Sequence, residues 1–365
     1  MRIAVDGLLY GPKAAGIGHY IRHLFTAYAE AFPDDDLVMA LPSGQRFPGS
    51  EVFHPLSSAD GSDPGSRRRL LYEHLRLSSD FRRRGYDVAH FPDYQMPWGG
   101  LPRSVITIHD LVAFLFPETF TPAATRVKQT LMKRSVRLAR RIIVPSLATR
   151  DDLVDRLHVD PEHVSVVPHG VVAPTTWGPR PHERPYWLFV STLEPRKNLV
   201  RLIRAYRIIR ERHQDAPDLV IAGKPGWLYE PVYQEAARVG QDRPVIFLGY
   251  VPDSAIGDWY RHAVAFCFPT LYEGFGLPVL EAMAAACPVI TADRGAVTEI
   301  ARDVGLLVDP DSVEAIADAM EHSWRNPASL QEGVARGLER ARTATWARSA
   351  RETRQVYERV RVEEH

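Results

Sequence analysis

Two successive runs of alternating strand and helix patterns constrain the fold of this chain of 365 residues more than any other feature. In the first run, which ends near residue 170, longer helical patterns separate short apolar segments at 3–5, 37–40, 88–91, 105–108 and 142–144. A stretch rich in proline and glycine follows at 171–186, and the alternation then begins again at 187. Strands that alternate with helices form a mostly parallel sheet covered on both faces. The sequence therefore predicts an α/β protein with two Rossmann-like domains.

Length and composition support this organisation and exclude several other classes of protein. We expect an N-terminal domain at residues 1–172 and a C-terminal domain at 173–345, because one domain takes roughly 150 residues and the stretch rich in proline and glycine marks the boundary. Acidic and basic residues balance at 45 each, which argues against general nucleic-acid binding. The two cysteines form no metal or disulfide pattern, and no uncharged apolar run approaches the roughly 18 residues of a membrane span. Since the sequence also lacks a signal peptide, we expect a cytoplasmic protein.

The stretch from residue 263 to residue 286 has the pattern of a strand, a turn and a helix. An apolar run at 263–268 is followed by a loop that contains Gly274 and Gly276, and helix formers occupy 280–286. Pro278 fits the first helical turn, and the glycines allow the backbone to come close to a ligand. The start of such a helix offers free N–H groups and a positive dipole end, so we expect an anion, most obviously a phosphate, to bind there.

Charged residues around this turn indicate a ligand that combines phosphate with a sugar. Glu273 precedes the helix and Glu281 lies within it. Two carboxylates there would repel a phosphate unless they bind another part of the ligand, and the hydroxyl-rich group that comes joined to phosphate is a sugar. Arg196 and Lys197 follow the first strand of the second domain. They are expected to bind the phosphate in an open cleft, although two such cations are also typical of a solvated turn.

Loops of the first domain supply further candidates, since ligands of parallel sheets lie beyond the carboxyl ends of the strands. Gly16 and Gly18 lie in the first of these loops, at 7–18, where the pair is equally typical of a tight turn. His109 ends a strand beside Asp110. Its place at a strand end favours a sugar-binding histidine over one that is hydrogen-bonded locally.

These motifs resemble those of a known enzyme family. Glu273 and Glu281, with seven residues between them and Gly-Phe-Gly-Leu-Pro inside, are similar to the signature of the retaining glycosyltransferases of family 4. Supporting motifs occur in the family's usual order at 107–110 (TIHD), 143–146 (IVPS) and 192–198 (TLEPRKN). The resemblance implies the GT-B fold, in which an acceptor-binding and a nucleotide-sugar-binding Rossmann-like domain face each other across a cleft. It also implies a separate C-terminal segment at 346–365, the last helix, which crosses back to the first domain.

The resemblance also implies roles for individual residues. His109 would contact the transferred sugar, Glu273 would hold that sugar, and Glu281 would hold the ribose. Many members of the family have Arg where this chain has Thr192, so we expect Arg196 to replace it. The expected catalytic residues are His109, Arg196, Lys197 and Glu273. The expected donor-binding residues are Gly16, Gly18, Arg196, Lys197, Gly223, Lys224, Tyr250, Val251, Glu273, Gly274, Phe275, Gly276, Leu277 and Glu281.

The reaction implied by the resemblance is transfer of a hexose, with retention, from a nucleotide diphosphate sugar to a glycan, lipid-linked or small-molecule acceptor. The segments 192–198 and 269–276 look most like the mannosyltransferase branch, which favours GDP-mannose as donor over UDP-glucose and deoxysugar nucleotides. We expect no cofactor and no metal ion, because cations and a helix dipole meet the phosphate charge and no carboxylate cluster lies at the site.

Three alternatives stay open at this point. The two glutamates could be the acid–base pair of a glycoside hydrolase, whose carboxyl groups lie about 5–5.5 Å or about 6.5–9.5 Å apart. The chain could also bind sugar nucleotides without catalysis. The arginine-rich segment 67–84 is expected to be a solvated face with an apolar side formed by Tyr72, Leu75 and Leu77, and peripheral contact with anionic lipid at the inner face of the membrane is its alternative. The acidic run at 34–36 is expected to be a solvated turn.

Overall fold

A computed structural model describes residues 1–11, 16–55, 67–174, 176–240, 242 and 244–363. Parts of the expected loop at 7–18 and of the boundary stretch at 171–186, and the last two residues of the expected C-terminal segment, lie outside the described residues. The chain divides into two compact units, Met1–Gly170 together with Trp346–His365, and Val171–Thr345. Each unit is built around its own parallel sheet, as the alternating pattern predicts.

The first unit contains a seven-stranded parallel sheet in the order β3-β2-β1-β4-β5-β6-β7. Its strands are β1 (Arg2–Asp6), β2 (Asp36–Ala40), β3 (Ser50–Phe53), β4 (Val88–Phe91), β5 (Ser104–Thr107), β6 (Arg141–Val144) and β7 (Val164–Val166). Its helices up to the boundary are α1 (Gly16–Ala31), α2 (Arg67–Leu75), α3 (Leu77–Arg84), α4 (Val112–Leu115), α5 (Pro122–Leu138) and α6 (Leu147–Leu157).

The second unit contains a six-stranded parallel sheet in the order β10-β9-β8-β11-β12-β13. Its strands are β8 (Tyr186–Val190), β9 (Asp218–Ala222), β10 (Ile246–Gly249), β11 (Ala265–Phe268), β12 (Val289–Ala292) and β13 (Leu306–Val308). Its helices are α7 (Leu199–Arg212), α8 (Glu230–Ala237), α9 (Asp253–His262), α10 (Leu277–Ala284), α11 (Gly295–Ala301), α12 (Val313–Arg325) and α13 (Gln331–Thr343).

Side chains on both faces of each sheet are buried, which explains the continuous apolar runs of the central strands. In β1, Ile3 and Val5 pack into a cluster with α1, while Ala4 lies in the cluster on the opposite face. Helix starts are fixed by local caps: the Thr121 hydroxyl accepts from Ala124 N–H at the start of α5, and the Ser146 hydroxyl accepts from Thr149 N–H at the start of α6.

A final helix, α14 (Trp346–Val362), belongs to the first unit although it follows the second in sequence. A hydrogen bond of 2.5 Å joins Tyr357 Oη to His90 Nδ1, and Arg354 Nε donates to Asp35 Oδ2 at 2.9 Å. This return to the first unit confirms the expectation for the last helix. The prediction of a solvated acidic turn is wrong for Asp35, which is buried and also accepts from Tyr28 Oη at 2.8 Å.

The arginine-rich segment differs from its prediction at two positions. Tyr72 and Leu77 are buried as expected, but Leu75 is 68% exposed. Arg69 is only 3% exposed, so it is not part of a solvated face. None of the described helices is both long enough and apolar enough to cross a bilayer.

Candidate active site

The candidate site lies at the carboxyl edge of the second sheet. In the sheet, β9 and β10 lie on one side of β8, and β11 lies on its other side. The direction in which successive strands are added to the sheet therefore reverses between β8 and β11. Ligands of doubly wound sheets bind at such a reversal. The loop after β8 carries Arg196 and Lys197, and the loop after β11 carries Glu273. The topology therefore brings together residues that are about 76 positions apart in sequence.

An ion cluster forms where these two loops meet. Lys197 Nζ donates to Glu273 Oε1 at 2.6 Å, and Arg196 Nη1 donates to Glu273 Oε2 at 2.9 Å. The Thr270 hydroxyl also donates to Glu273 Oε1, at 2.9 Å. Arg196 Nη1 makes a further bond of 3.0 Å to the carbonyl oxygen of Tyr272. Both carboxylate oxygens of Glu273 are thus occupied by neighbours in the protein.

A second carboxylate, that of Glu194, also belongs to the ion cluster. Glu194 Oε1 lies 2.7 Å from Arg196 Nε and 4.0 Å from Lys197 Nζ, and its side chain is buried. Sequence reasoning missed Glu194 as a member of the site, although it lies two positions before Arg196 in the motif at 192–198. Two carboxylates thus face two cations, which makes the cluster close to neutral without a ligand.

Burial and charge act in opposite directions on the acid–base groups of this cluster. Burial alone would raise the pKa of Glu273, but the charges of Arg196 and Lys197 outweigh it and lower the pKa to about 2. Burial lowers the pKa of Lys197, while the Glu273 charge opposes that change. Glu273 is therefore a firmly ionised carboxylate at neutral pH. The expectation that both cations stand open in a cleft is wrong for Lys197, whose side chain is 7% exposed.

The loops after β9 and β10 lie at the same edge of the sheet. At Gly223, which has a φ of +156°, a Cβ would stand 1.7 Å from the backbone oxygen of Ser191, so only glycine fits. Lys224 Nζ lies 4.4 Å from the centre of the Tyr250 ring, a cation–π contact. Tyr250 is 58% exposed, and Val251 beside it is half-buried. These four predicted donor-binding residues therefore adjoin one another.

Helix α10 begins at the predicted glycine turn. Gly276 has a φ of +103°, and a Cβ there would lie 2.7 Å from Val297 Cγ1. Pro278 occupies the first turn, as predicted. One turn into the helix, Glu281 Oε2 accepts from Tyr260 Oη at 3.0 Å. Burial raises the pKa of Glu281 to about 7, which the Tyr260 hydrogen bond only partly offsets. The two glutamates of the motif therefore differ in the direction of their pKa shifts: the pKa of Glu273 is lowered and that of Glu281 is raised.

The other expected residues belong to the first unit. Gly16 is the first residue of α1, and Gly18, in the same helix, is buried. His109 Nε2 lies 2.9 Å from the carbonyl oxygen of Pro92, so Nε2 carries the proton and Nδ1 of the neutral ring is an acceptor. Burial lowers the pKa of His109. The ring of Tyr20 packs edge-on against His109, with 4.7 Å between the ring centres.

Taken together, the second unit unites Arg196, Lys197 and Glu273 in direct contact, while His109, Gly16 and Gly18 lie in the first unit. The described part of the chain contains no group of three or more His, Cys, Asp or Glu side chains placed to hold a metal ion. The phosphate, sugar and ribose roles of these residues stay predictions.

Comparison with known proteins identifies the family. Residues 178–337 match the model of "Glycosyl transferases group 1", and residues 14–174 match that of "Glycosyltransferase Family 4". The O-antigen chain mannosyltransferase B of Escherichia coli is 29% identical over 80% of this chain and 81% of its own length. The O-antigen chain mannosyltransferase RfbU of Salmonella typhimurium is 25% identical over 63% of each chain.

A solved structure shows the same fold over nearly the whole chain. The sucrose-phosphate synthase of Thermosynechococcus elongatus superimposes with a TM-score of 0.77 and 20% identity, covering 98% of each chain. The two family models lie in the two sheet-containing units in the order that the motifs predict. The chain is thus similar to mannosyltransferases of O-antigen chains, and it belongs to the family 4 glycosyltransferases of GT-B fold.

Proposed function

We propose that this glycosyltransferase moves mannose from GDP-mannose to a hydroxyl group of a glycan or lipid-linked acceptor, with retention of the anomeric configuration and without a metal ion. The observation that carries this proposal is the cluster of Arg196, Lys197 and Glu273 at the winding reversal of the second sheet. Membership of a glycosyltransferase family favours transfer over the hydrolase and the non-catalytic alternatives.

The cations of the cluster would stabilise the leaving nucleotide diphosphate. An ammonium group has three N–H donors, and Glu273 takes one donor of Lys197, which leaves others for a phosphate oxygen. Arg196 has five donors, of which Nε faces Glu194 and Nη1 faces Glu273. The carboxylates hold these cations in place before the donor arrives, so little reorganisation is needed as negative charge develops on the leaving group.

The proposed chemistry is a displacement on one face of the sugar. The bond from C1 of the sugar to the phosphate oxygen breaks, and a bond from C1 to the acceptor oxygen forms on the same face. The acceptor proton passes to the departing phosphate oxygen. Glu273 supports this route because its oxygens accept from Lys197, Arg196 and Thr270 and its pKa is lowered to about 2, which makes its carboxylate a weak nucleophile toward the sugar.

The choice of donor rests on the relatives. Two similar bacterial proteins are O-antigen chain mannosyltransferases, which favours mannose over glucose and the deoxysugars. We propose that Glu281 binds the ribose hydroxyls and that Tyr250 and Val251 lie near the base. His109, with a neutral ring and Nδ1 as acceptor, stays our candidate for contact with the transferred sugar.

A transfer assay in the presence and absence of a chelator tests the proposal. The protein is incubated with GDP-mannose and methyl α-mannoside in excess EDTA, and the products are followed by proton NMR. We expect release of GDP and formation of a new α-mannoside at the same rate with and without EDTA. A β-mannoside would contradict retention. Loss of transfer on chelation, restored by magnesium or manganese, would contradict metal independence, and turnover of UDP-glucose alone would contradict the donor.

A further inference from the structure

Asn198 lies between Lys197 and the first residue of α7, and both its backbone and its side chain are unusual for that position. Its φ is +62°, in the left-handed region that asparagine adopts more readily than most residues. An asparagine before a helix usually caps it, by accepting from an N–H of the first turn. Among the described residues, the Asn198 side chain makes no such capping bond. A role other than helix capping has to explain this side chain.

The Asn198 side chain instead joins two other loops at the same edge of the second sheet. Its amide nitrogen, Nδ2, donates to the carbonyl oxygen of Pro269 at 2.9 Å and to that of Pro310 at 2.6 Å. Pro269 follows β11 and Pro310 lies just after β13, whereas Asn198 itself lies between β8 and α7. Asn198 is only 5% exposed. We call these two hydrogen bonds the Asn198 bridge.

A neighbouring arginine orients the amide of Asn198. Arg201 Nη1 donates to Asn198 Oδ1 at 3.0 Å, and Arg201 Nη2 lies 3.3 Å from Asp311 Oδ1. A guanidinium group can only donate, so it pairs with the oxygen of the amide and leaves the nitrogen facing the two carbonyl groups. Each polar atom of the side chain therefore has a partner, as is expected of a buried polar group that holds one arrangement.

The Asn198 bridge adjoins the ion cluster on both of the loops that form it. Lys197 directly precedes Asn198 in the chain. Thr270, whose hydroxyl donates to Glu273 Oε1 at 2.9 Å, directly follows Pro269. The bridge therefore holds the loop of the cations at a fixed separation from the loop of Glu273. Such spacing matters for catalysis, because a displacement of about 1 Å at a reacting group can slow a reaction about a hundredfold.

We propose that Asn198 is a positioning residue of the transfer reaction. Its amide fixes the loop after β8 against the loops after β11 and β13, and so sets where the Lys197 ammonium group meets the leaving diphosphate. This inference rests on the proposed function and adds a residue that sequence reasoning placed in a motif without giving it a role. Asn198 acts through Lys197 and not on the substrate itself.

A double-mutant cycle separates this positioning from a merely structural role. Asn198→Gly removes the amide but keeps the left-handed backbone accessible. It is made in the wild type and in Lys197→Met, and the turnover of GDP-mannose with methyl α-mannoside is measured per folded protein. The matched control in both backgrounds is Asn326→Gly, at an exposed asparagine that follows α12 in the same unit.

We expect Asn198→Gly to slow turnover about ten- to a hundredfold in the wild type, because the ammonium group loses its fixed place, and at most about threefold in Lys197→Met, where that group is absent. Asn326→Gly should leave turnover unchanged in both backgrounds. Slowing by the same factor in both backgrounds would overturn the inference, as would wild-type turnover in a folded Asn198→Gly protein. If Asn198→Gly does not fold, Arg201→Gln takes its place in the cycle, with slowing of about threefold expected in the wild type alone.

A second measurement is independent of the donor's base and sugar. Pyrophosphate, which has the phosphate groups common to all nucleotide diphosphates, is titrated calorimetrically into the same proteins. We expect Asn198→Gly to weaken pyrophosphate about tenfold in the wild type and less in Lys197→Met. This result in a wild type that does not turn over GDP-mannose would contradict the proposed donor and leave the positioning role standing. Equal losses in both backgrounds would overturn the positioning role, and a wild type that neither turns over GDP-mannose nor binds pyrophosphate would overturn both.

Discussion

We expect the Lys197→Met variant to transfer sugar about 100- to 1,000-fold more slowly than the wild type, because removing one fixed donor to a developing negative charge costs about 2.7–4 kcal/mol of barrier. Methionine keeps the length of the side chain and tolerates burial, so the change removes chiefly the charge. The measurement is GDP release from GDP-mannose under saturating acceptor. Lys133→Met, an exposed lysine of α5 in the other unit, is the matched control and should keep wild-type turnover.

A double alanine variant at Arg196 and Lys197 would be a poorer test than the single change. Both side chains are ion-paired with Glu273, so their loss leaves a buried carboxylate with few partners and endangers the fold as well as the reaction. The single Lys197→Met change leaves Arg196 on Glu273 and Glu194. Turnover above about a tenth of the wild-type rate in a folded Lys197→Met protein would contradict the role of Lys197 at the leaving group.

The second large effect concerns stability. Glu273→Gln is expected to lower the free energy of unfolding by about 3 kcal/mol, since breaking a buried ion pair costs about 3–5 kcal/mol and Glu194 still faces both cations. The control is Glu332→Gln, which breaks the ion pair with Arg336 on the surface of α13, where Glu332 is 84% exposed. An exposed pair of this kind contributes about 0–1 kcal/mol. Urea unfolding of the three proteins gives the comparison.

The difference in unfolding free energy between the wild type and Glu273→Gln should depend on pH, because the pKa of Glu273 is lowered in the folded protein. The pKa of about 2 in the folded protein lies below the ordinary value of 4.5, so the stabilisation by Glu273 is complete above pH 4.5 and is lost as the pH falls toward 2. The gap between wild type and Glu273→Gln should therefore be constant from pH 5 upward and shrink below it. Equal unfolding free energies at pH 7 would show that the cluster contributes nothing to stability.

Much of the fold could be predicted because the deciding signals are local. The turn at Gly274–Gly276 and the proline at 278 mark the start of α10 from sequence alone, and the structure has a left-handed glycine and a helix there. The strands that the sequence did not predict are β3, β7 and β13, each three or four residues long and each at the edge of its sheet. The side chains of these edge strands are only partly buried, so the strands lack the fully buried pattern of central strands such as β4 and β5.

The partners of charged residues could not be predicted, because they depend on which loops the topology brings together. Arg196 and Glu273 are both evident in the sequence as polar residues after strands, but only the adjacency of β8 and β11 makes them an ion pair. The burial of Arg69 could not be predicted for the same reason. It lies in a run of three arginines, and only the packing of α2 against the sheet makes it buried.

The central claim, that the second unit binds a nucleotide diphosphate through the Glu281 motif, is tested most directly by calorimetric titration of GDP into the wild type, Glu281→Gln and Glu273→Gln. We predict that Glu281→Gln weakens GDP about ten- to a hundredfold, because the ribose loses a hydrogen bond to a charged acceptor, and that Glu273→Gln binds GDP no more weakly than the wild type. Since burial raises the pKa of Glu281 to about 7, wild-type affinity should also fall more steeply from pH 8 to pH 6 than that of Glu281→Gln, in which only the terminal phosphate of GDP still takes up a proton. Equal GDP affinities for the wild type and Glu281→Gln would contradict the account.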